Sequence, residues 1–302
     1  MKKNNKYQGV VVPMITPLTS SLDIDTDAVA RIVSRFAAHN VSALLMGTTG
    51  EGNLVSTEQG EKLVAAVVKA AQGRITIYVG LAGCCLSEQL DAAQRYAKAG
   101  ANVVAATLPS YYELTPEQMF DYYKALADKL PLPLMLYNIT KTTHMSIPLD
   151  IIERLSHHPN IVGLKDSQND VPRMEEAMRL FAHRDDFAYF CGCSANSAAS
   201  LRLGADGIVP SMGNLLPEAY QELYVAARDG KEEKAEKLQR ETAEICKINT
   251  VGLTLGQSLA GLKVMMNEAQ LCDTYMLPPL TTLDTATEER IRQQTRNILN
   301  NQ

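Results

Sequence analysis

The chain has 302 residues, 46% of them hydrophobic and 21% charged, with a net charge of −5. That balance excludes a disordered polymer, and the mild acidity leaves no basic footprint for nucleic acid or for an anionic membrane surface. No run approaches the ~18 consecutive apolar residues of a transmembrane helix.

The chain opens with "MKKNNKYQGVVVPMITP". This stretch is basic but has neither a long apolar core nor a small-residue cleavage site, so it reads as an unprocessed start and implies a cytoplasmic protein. From there, short apolar runs alternate with amphipathic stretches. A strand over 9–17 precedes a helix over about 25–39, and "SALLMG" (42–47) precedes a helix over about 57–71, with Thr57 as a good cap. "ITIYVGLA" (75–82), "ANVVAATLP" (101–109), "LPLMLYN" (132–138), "NIVGLK" (160–165), "FAYFCG" (187–192) and "DGIVPS" (206–211) are each followed by a helical stretch. Strand–helix alternation means a parallel sheet covered by helices, and near-continuous apolar strands mean that both faces are buried.

Eight such units in about 225 residues fit an α/β fold of the closed (β/α)8 type, the TIM barrel. The alternative, a doubly wound open sheet, usually carries a glycine-rich phosphate loop after its first strand. Here that place holds "MITPLTSS", with no glycine. From about 226 onward the pattern is helical only, through "KEEKAEKLQRETAEICKI", "GQSLAGLKVMMNEAQ" and "TEERIRQQTRNILNN". The expected organisation is therefore a catalytic barrel over 1–225 and a C-terminal helical region over 226–302.

Six cysteines, Cys84, Cys85, Cys191, Cys193, Cys246 and Cys272, are too few for a disulfide scaffold in a chain of this length. "CGC" at 191–193 lacks the spacing of common zinc sites, so buried reduced thiols are expected and no metal.

Chemistry in such a barrel gathers at the C-terminal ends of the strands. There the chain carries "GTTGEG" (47–52), "PSYY" (109–112), Tyr137 with Asn138, Lys165, "GCSANS" from Gly192, and Ser211 with Gly213 and Asn214. Lys165 is unusual, because it ends a buried strand beneath loops bearing Thr48, Thr49, Tyr111 and Tyr137. Burial disfavours a charged ammonium, and a free amine attacks carbonyls. Tyrosines and hydroxyls can relay protons beside it. Taken singly, the lysine could simply reach solvent, "GTTGEG" could be a turn, and Tyr137 could be core. Together they form a candidate Schiff-base site.

With these residues assembled, the chain resembles the dihydrodipicolinate synthase / N-acetylneuraminate lyase family. The landmarks "GTTGEG", "LPSYY", "LPLMLYNI", "IVGLKDS" and "LGADGIVPSMGN" span nearly its whole length. The resemblance implies a class I pyruvate-handling lyase on a (β/α)8 barrel, with no metal or organic cofactor, assembled as a homotetramer (a dimer of dimers). It implies that Lys165 forms the imine and that Tyr137 is the general acid/base. Thr48, Thr49 and the N–H groups of the loop through Gly50 and Glu51 would hold the substrate carboxylate. Tyr111 would join a proton relay with Thr48.

The substrate-side residues depart from both named activities. Dihydrodipicolinate synthases carry an arginine in the loop after strand five, where this chain has Thr142, next to Lys141. N-acetylneuraminate lyases carry an acidic pair after strand seven, where this chain has Ser194 and Ala195. The expectation is an aldolase for another 2-keto acid, first a 2-keto-3-deoxy sugar acid. Ser167, Gly192, Ser194, Asn196 and Ser211 would form one wall of its pocket, and Thr142, Thr143 and His144 the other. His144 could touch substrate, donate a proton, or be an exposed loop histidine. The alternatives are dihydrodipicolinate synthase, N-acetylneuraminate lyase, a keto-acid dehydratase using the same imine, and a non-catalytic ligand-binding barrel.

Overall fold

The computed structural model describes residues 5–300. The first four residues of the basic start therefore lie outside the described residues.

The eight apolar runs form a closed, all-parallel barrel in sequence order. Its strands are β1 (Gly9–Pro13), β2 (Ser42–Leu45), β3 (Ile77–Leu81), β4 (Val103–Thr107), β5 (Leu134–Asn138), β6 (Ile161–Asp166), β7 (Ala188–Cys191) and β8 (Gly207–Ile208), and β8 closes on β1 through Gly9↔Gly207 and Val10↔Ile208. The strands are shorter than the apolar runs at nearly every end, because the flanking residues belong to turns. β8 is shortest. Its Gly207 lies where a Cβ would come within 2.2 Å of the Gly9 carbonyl and 2.3 Å of the Phe190 ring, so closure needs a bare backbone there.

Around the barrel run α1 (Thr26–Ala38), α2 (Thr57–Ala71), α3 (Leu86–Ala99), α4 (Pro116–Lys129), the single turn α5 (Thr140–Thr143), α6 (Leu149–Leu155), α7 (Val171–Phe181), α8 (Ser197–Leu203) and α9 (Pro217–Arg228). Their starts are written in local chemistry. Asp25 caps α1, Thr115 and Gln118 form a reciprocal capping box on α4, and Asp170 caps α7. The cap of α2 is Ser56, which accepts from Gln59 N–H, and Thr57 is the first helical residue, one position off the sequence expectation. The apolar stripe of α1 (Ala28, Val29, Ile32, Val33, Phe36) is buried, as its spacing requires.

Alternate residues of each strand point to opposite faces. One set, with Val11, Leu44, Tyr78, Ala105, Met135, Ala188 and Phe190, forms a compact cluster separate from the larger core under the helices. Its spacing on the strands is that of the barrel interior. Tyr137 lies two residues beyond Met135 and Lys165 two beyond Gly163, so both have interior parity at the C-terminal mouth.

Beyond the barrel, α10 (Glu232–Cys246), α11 (Leu255–Glu268) and α12 (Thr285–Leu299) follow with no strand between them. Half of α11 is buried, from Ala260 through Met266, so it is a packing element and not a solvated appendage. No helix among the described residues is long and apolar enough to cross a membrane. All six thiols are free. Cys191 and Cys272 are buried as expected, but Cys84 and Cys85 are exposed where the chain turns from β3 into α3, and Cys193 and Cys246 are half-buried.

Candidate active site

Lys165 is 3% exposed, and it lies beside Tyr137 in the ladder between β5 and β6. That pairing depends on an irregularity. Leu134 faces Ile161, yet Met135 faces Gly163, so the register steps by one residue at Val162. Without the step, Tyr137 would stand opposite Leu164, whose side chain faces the helices. The step therefore aligns the lysine and the tyrosine on one interior layer, as bulges do next to active sites.

The Lys165 ammonium lies 3.6 Å from the centroid of the Tyr137 ring, a cation–π contact. Across the mouth, Thr48 Oγ1 and Tyr137 Oη are 3.2 Å apart. Burial works to raise the phenol of Tyr137. The adjacent Lys165 charge, with hydrogen bonding to Thr48, Lys165 and Ser167, outweighs burial and leaves the phenol below its ordinary value. A phenol that gives up its proton more readily, joined to a hydroxyl, is suited to shuttling protons at a reacting carbon.

The turn after β2 explains what can bind an anion. The N–H groups of Gly50 and Gly52 donate to Gly47 O, and that of Glu51 donates to Thr48 O. Among the described residues, the N–H groups of Thr48 and Thr49 donate to no backbone carbonyl. They, with the two threonine hydroxyls, are the donors this turn can offer a carboxylate. This corrects the expectation for Gly50 and Glu51, whose N–H groups are occupied within the turn. The Glu51 carboxylate is also committed elsewhere, to Leu277 N–H at 2.8 Å and to Lys263. Gly52 belongs here because a Cβ would fall 1.9 Å from the Met46 carbonyl.

Beyond Tyr137 a second layer holds the strand ends. Asn138 donates to Asp166 Oδ1 at 2.9 Å and accepts from Ile147 N–H at 3.1 Å. Arg173 pairs with the buried Asp166 at 2.8 Å and donates to the Ile147 carbonyl. These groups tie the loop after β5 to the end of β6. Sequence reading gave Asn138 only as a strand end and missed its link to Asp166 and Arg173, although "KD" at Lys165 places an acidic residue directly after the lysine.

The loop itself forms the turn α5. Thr143 donates its hydroxyl to the carbonyls of Ile139 and Met145, at 2.9 and 3.0 Å, so it shapes the loop, and it stands with Thr142 in the wall of the cavity beside Tyr137. His144 is exposed and left-handed (φ 59°), and it ends α5. Thr142 lines a cavity of about 190 Å³ that opens beside Thr48 and Tyr137. The cavity runs toward β3 and β4 and is also lined by Leu255 and Leu259 of α11 and by Leu280. Lys165, Ser167, Gly192, Ser194 and Ser211 are not in its wall. Gly192 and Ser167 do lie together near Lys165, since a Cβ on Gly192 would fall 2.1 Å from Ser167 Oγ. Ser194 instead uses its carbonyl to receive Gln239, and Asn196 bonds Asn169. Tyr111 is 77% exposed, stacked edge-on against Tyr112, and makes no hydrogen bond to Thr48 among the described residues. Within one chain it does not join the relay expected of it.

The contribution of α11 was also missed. The only hint was a lysine inside the apolar run "LAGLKVMM".

With this geometry in hand, comparison with known proteins is specific. The model of the dihydrodipicolinate synthetase family matches residues 6–300. A 4-hydroxy-tetrahydrodipicolinate synthase of Hyphomonas neptunium is 27% identical over 286 residues, covering 94% of this chain and 96% of that protein. The dihydrodipicolinate synthase structure from Bacteroides thetaiotaomicron superposes with a TM-score of 0.91 at 28% identity, covering 97% of this chain and 99% of that one. The chloride-inhibited dihydrodipicolinate synthase from Acinetobacter baumannii, complexed with pyruvate, gives a TM-score of 0.88 at 27% identity, covering 96% and 98%. The chain belongs to the dihydrodipicolinate synthetase family and is a pyruvate-dependent lyase of the class I, Schiff-base type.

Proposed function

We propose that Lys165 is the imine-forming nucleophile, that Tyr137 with Thr48 moves the protons, and that Thr48 and Thr49 receive the substrate carboxylate. The observation that carries this reading is the alignment of Lys165 and Tyr137 on adjacent strands with Thr48 on the phenol. We further propose that the reaction is an aldol cleavage of a 2-keto-3-deoxy sugar acid. The Lys165 amine adds to the C2 carbonyl and water leaves. The C4 hydroxyl gives its proton to the Tyr137 phenolate, the C3–C4 bond breaks, and its electrons pass into the imine to form an enamine. An aldehyde departs, C3 takes a proton, and hydrolysis frees pyruvate and the amine.

Support for this substrate class comes from the loop after β5. Thr142 offers the cavity a neutral hydroxyl, and the one cation of that turn, Lys141, is exposed. A carboxylate-bearing aldehyde would want a bidentate arginine there. The names of the relatives favour the opposite reading, condensation of pyruvate with aspartate semialdehyde. Both are tested together by measuring pyruvate release from a panel of 2-keto-3-deoxy sugar acids and from N-acetylneuraminate, alongside pyruvate consumption with aspartate semialdehyde. The proposal expects a sugar acid to be the best substrate. Faster condensation than cleavage of any panel member overturns it.

We also propose a homotetramer, supported by the exposed aromatic pair Tyr111 and Tyr112 on the loop after β4. Tyr111 keeps a place in the relay only in such an assembly. A single monomeric species in sedimentation would remove both statements.

A further inference from the structure

The charged pair Glu51–Lys263 has no part in the chemistry above, yet it touches the turn on which that chemistry depends. Glu51 stands three residues after Thr48, in a left-handed conformation (φ 56°) that a side-chain-bearing residue rarely adopts. Its side chain is fully buried, and that of Lys263 is 1% exposed. The two charges are 2.5 Å apart. The approach to Oε1 lacks hydrogen-bond alignment, so that contact is an ion pair, whereas Oε2 accepts Leu277 N–H at 2.8 Å. Lys263 also donates to the Tyr275 carbonyl at 2.6 Å. α11 and the segment after it therefore converge on one carboxylate. On its other side the turn is held by Thr16, whose hydroxyl donates to the Gly50 carbonyl at 2.6 Å.

We infer that the Glu51–Lys263 pair is a latch by which the C-terminal helical region positions the Thr48–Thr49 donors for the carboxylate of the keto acid. The inference rests on the reading that this turn receives that carboxylate. A hydrogen-bond array aimed at an anion gains its strength from being fixed beforehand, and displacement by about an ångström weakens it sharply. The barrel supplies one wall of the turn through Thr16. The C-terminal region supplies the other through a buried charge pair. Glu51 and Lys263 are positioning residues: neither reaches the reacting atoms.

The double variant Glu51→Gln/Lys263→Met removes the pair without leaving a lone buried charge, and glutamine still offers Leu277 an acceptor. Borohydride trapping of pyruvate on Lys165, followed by intact mass, is titrated in wild type and variant. The expected result is a half-saturating pyruvate concentration raised about tenfold or more, with the maximal trapping rate within about threefold of wild type. An unchanged half-saturation in the folded variant overturns the latch, and so does a fall in maximal rate with no shift in half-saturation, which is the pattern of a merely structural pair. Should wild type trap neither pyruvate nor any larger keto acid, the carboxylate reading fails. The latch is then judged by hydrogen exchange of the 46–54 peptide, expected to speed up about tenfold in the variant. Unchanged exchange overturns it. If the double variant does not fold, Glu51→Gln alone, whose single amide oxygen can still accept from Leu277 N–H while the charge pair is lost, is put through the same two measurements.

Discussion

Among the described residues two lysines are buried, Lys165 and Lys263, and their surroundings differ. Lys263 has a carboxylate at 2.5 Å and a carbonyl at 2.6 Å. Burial pulls its ammonium below the ordinary lysine value, while Glu51 pulls it back. Lys165 faces the ring of Tyr137, and among the described residues no carboxylate comes within ion-pair distance of it. A charge that is fully partnered holds structure, because removing either member strands the other in a dry interior. A charge facing an aromatic ring and a phenol is bound less firmly and is available to a carbonyl. The comparison separates a lysine committed to an ion pair from the one proposed to form the imine, although burial alone would class them together.

The largest effect is expected at Lys165. Lys165→Ala should reduce turnover to the background of the assay while circular dichroism and melting temperature stay near wild type. Residual turnover near wild type would contradict the imine role. Lys263→Met should do the reverse in kind. It leaves Glu51 buried without its partner, so denaturant unfolding should show a loss of about 3–5 kcal/mol. If the two variants behaved alike, the distinction between the lysines would collapse.

Next in size is Tyr137→Phe. Loss of the acid/base group should slow turnover by about 10²–10⁴-fold, with half-saturation by pyruvate changed far less. A rate within about twofold of wild type would exclude the phenol from proton transfer.

The titration of Tyr137 provides a finer test. Its phenol is held below the ordinary value chiefly by the Lys165 charge working against burial. Removing that charge in Lys165→Met disfavours the phenolate, so the phenol should titrate at higher pH in the variant. Absorbance of the phenolate at alkaline pH would show one tyrosine moving upward, and a downward or absent shift would mean that the ammonium does not act on it. In the wild type, a depressed phenol means that the protonated form needed as an acid is lost earlier on the alkaline side than for a free tyrosine.

The smallest effect is expected at the substrate loop. Thr142→Arg should raise condensation with a carboxylate-bearing aldehyde modestly, because one cation is added without the rest of the loop being rebuilt. Initial-rate measurement with aspartate semialdehyde would show it, and no gain would place specificity outside this position.

Much of this was legible in sequence because it is periodic or local. The apolar runs alternate with amphipathic helices, which gives a parallel sheet covered by helices, and eight units with no glycine-rich loop after the first strand point to closure as a barrel. Lys165, Tyr137 and Thr48 were legible because polar residues at the ends of apolar strands stand out. What could not be read depends on register or on contacts distant in sequence. The one-residue step at Val162, which brings Tyr137 opposite Lys165, leaves no mark in "NIVGLKDS". The resemblance implied that the Glu51 N–H helps hold the substrate carboxylate, but the sequence gives no sign that its side chain pairs with Lys263 of a helix in the C-terminal region. Thr143 resembled a substrate contact by residue type, yet its hydroxyl closes the loop on the Ile139 and Met145 carbonyls. Tyr111 was placed correctly after β4, but only the fold shows that it turns outward.

The most direct test of the account is chemical capture. The protein is incubated with pyruvate, reduced with borohydride and digested, and the added mass is located by peptide mapping. The account predicts one pyruvyl group on Lys165 and none on Lys263. Addition at another lysine, or no addition by a folded protein with pyruvate or with any larger 2-keto acid, would contradict it.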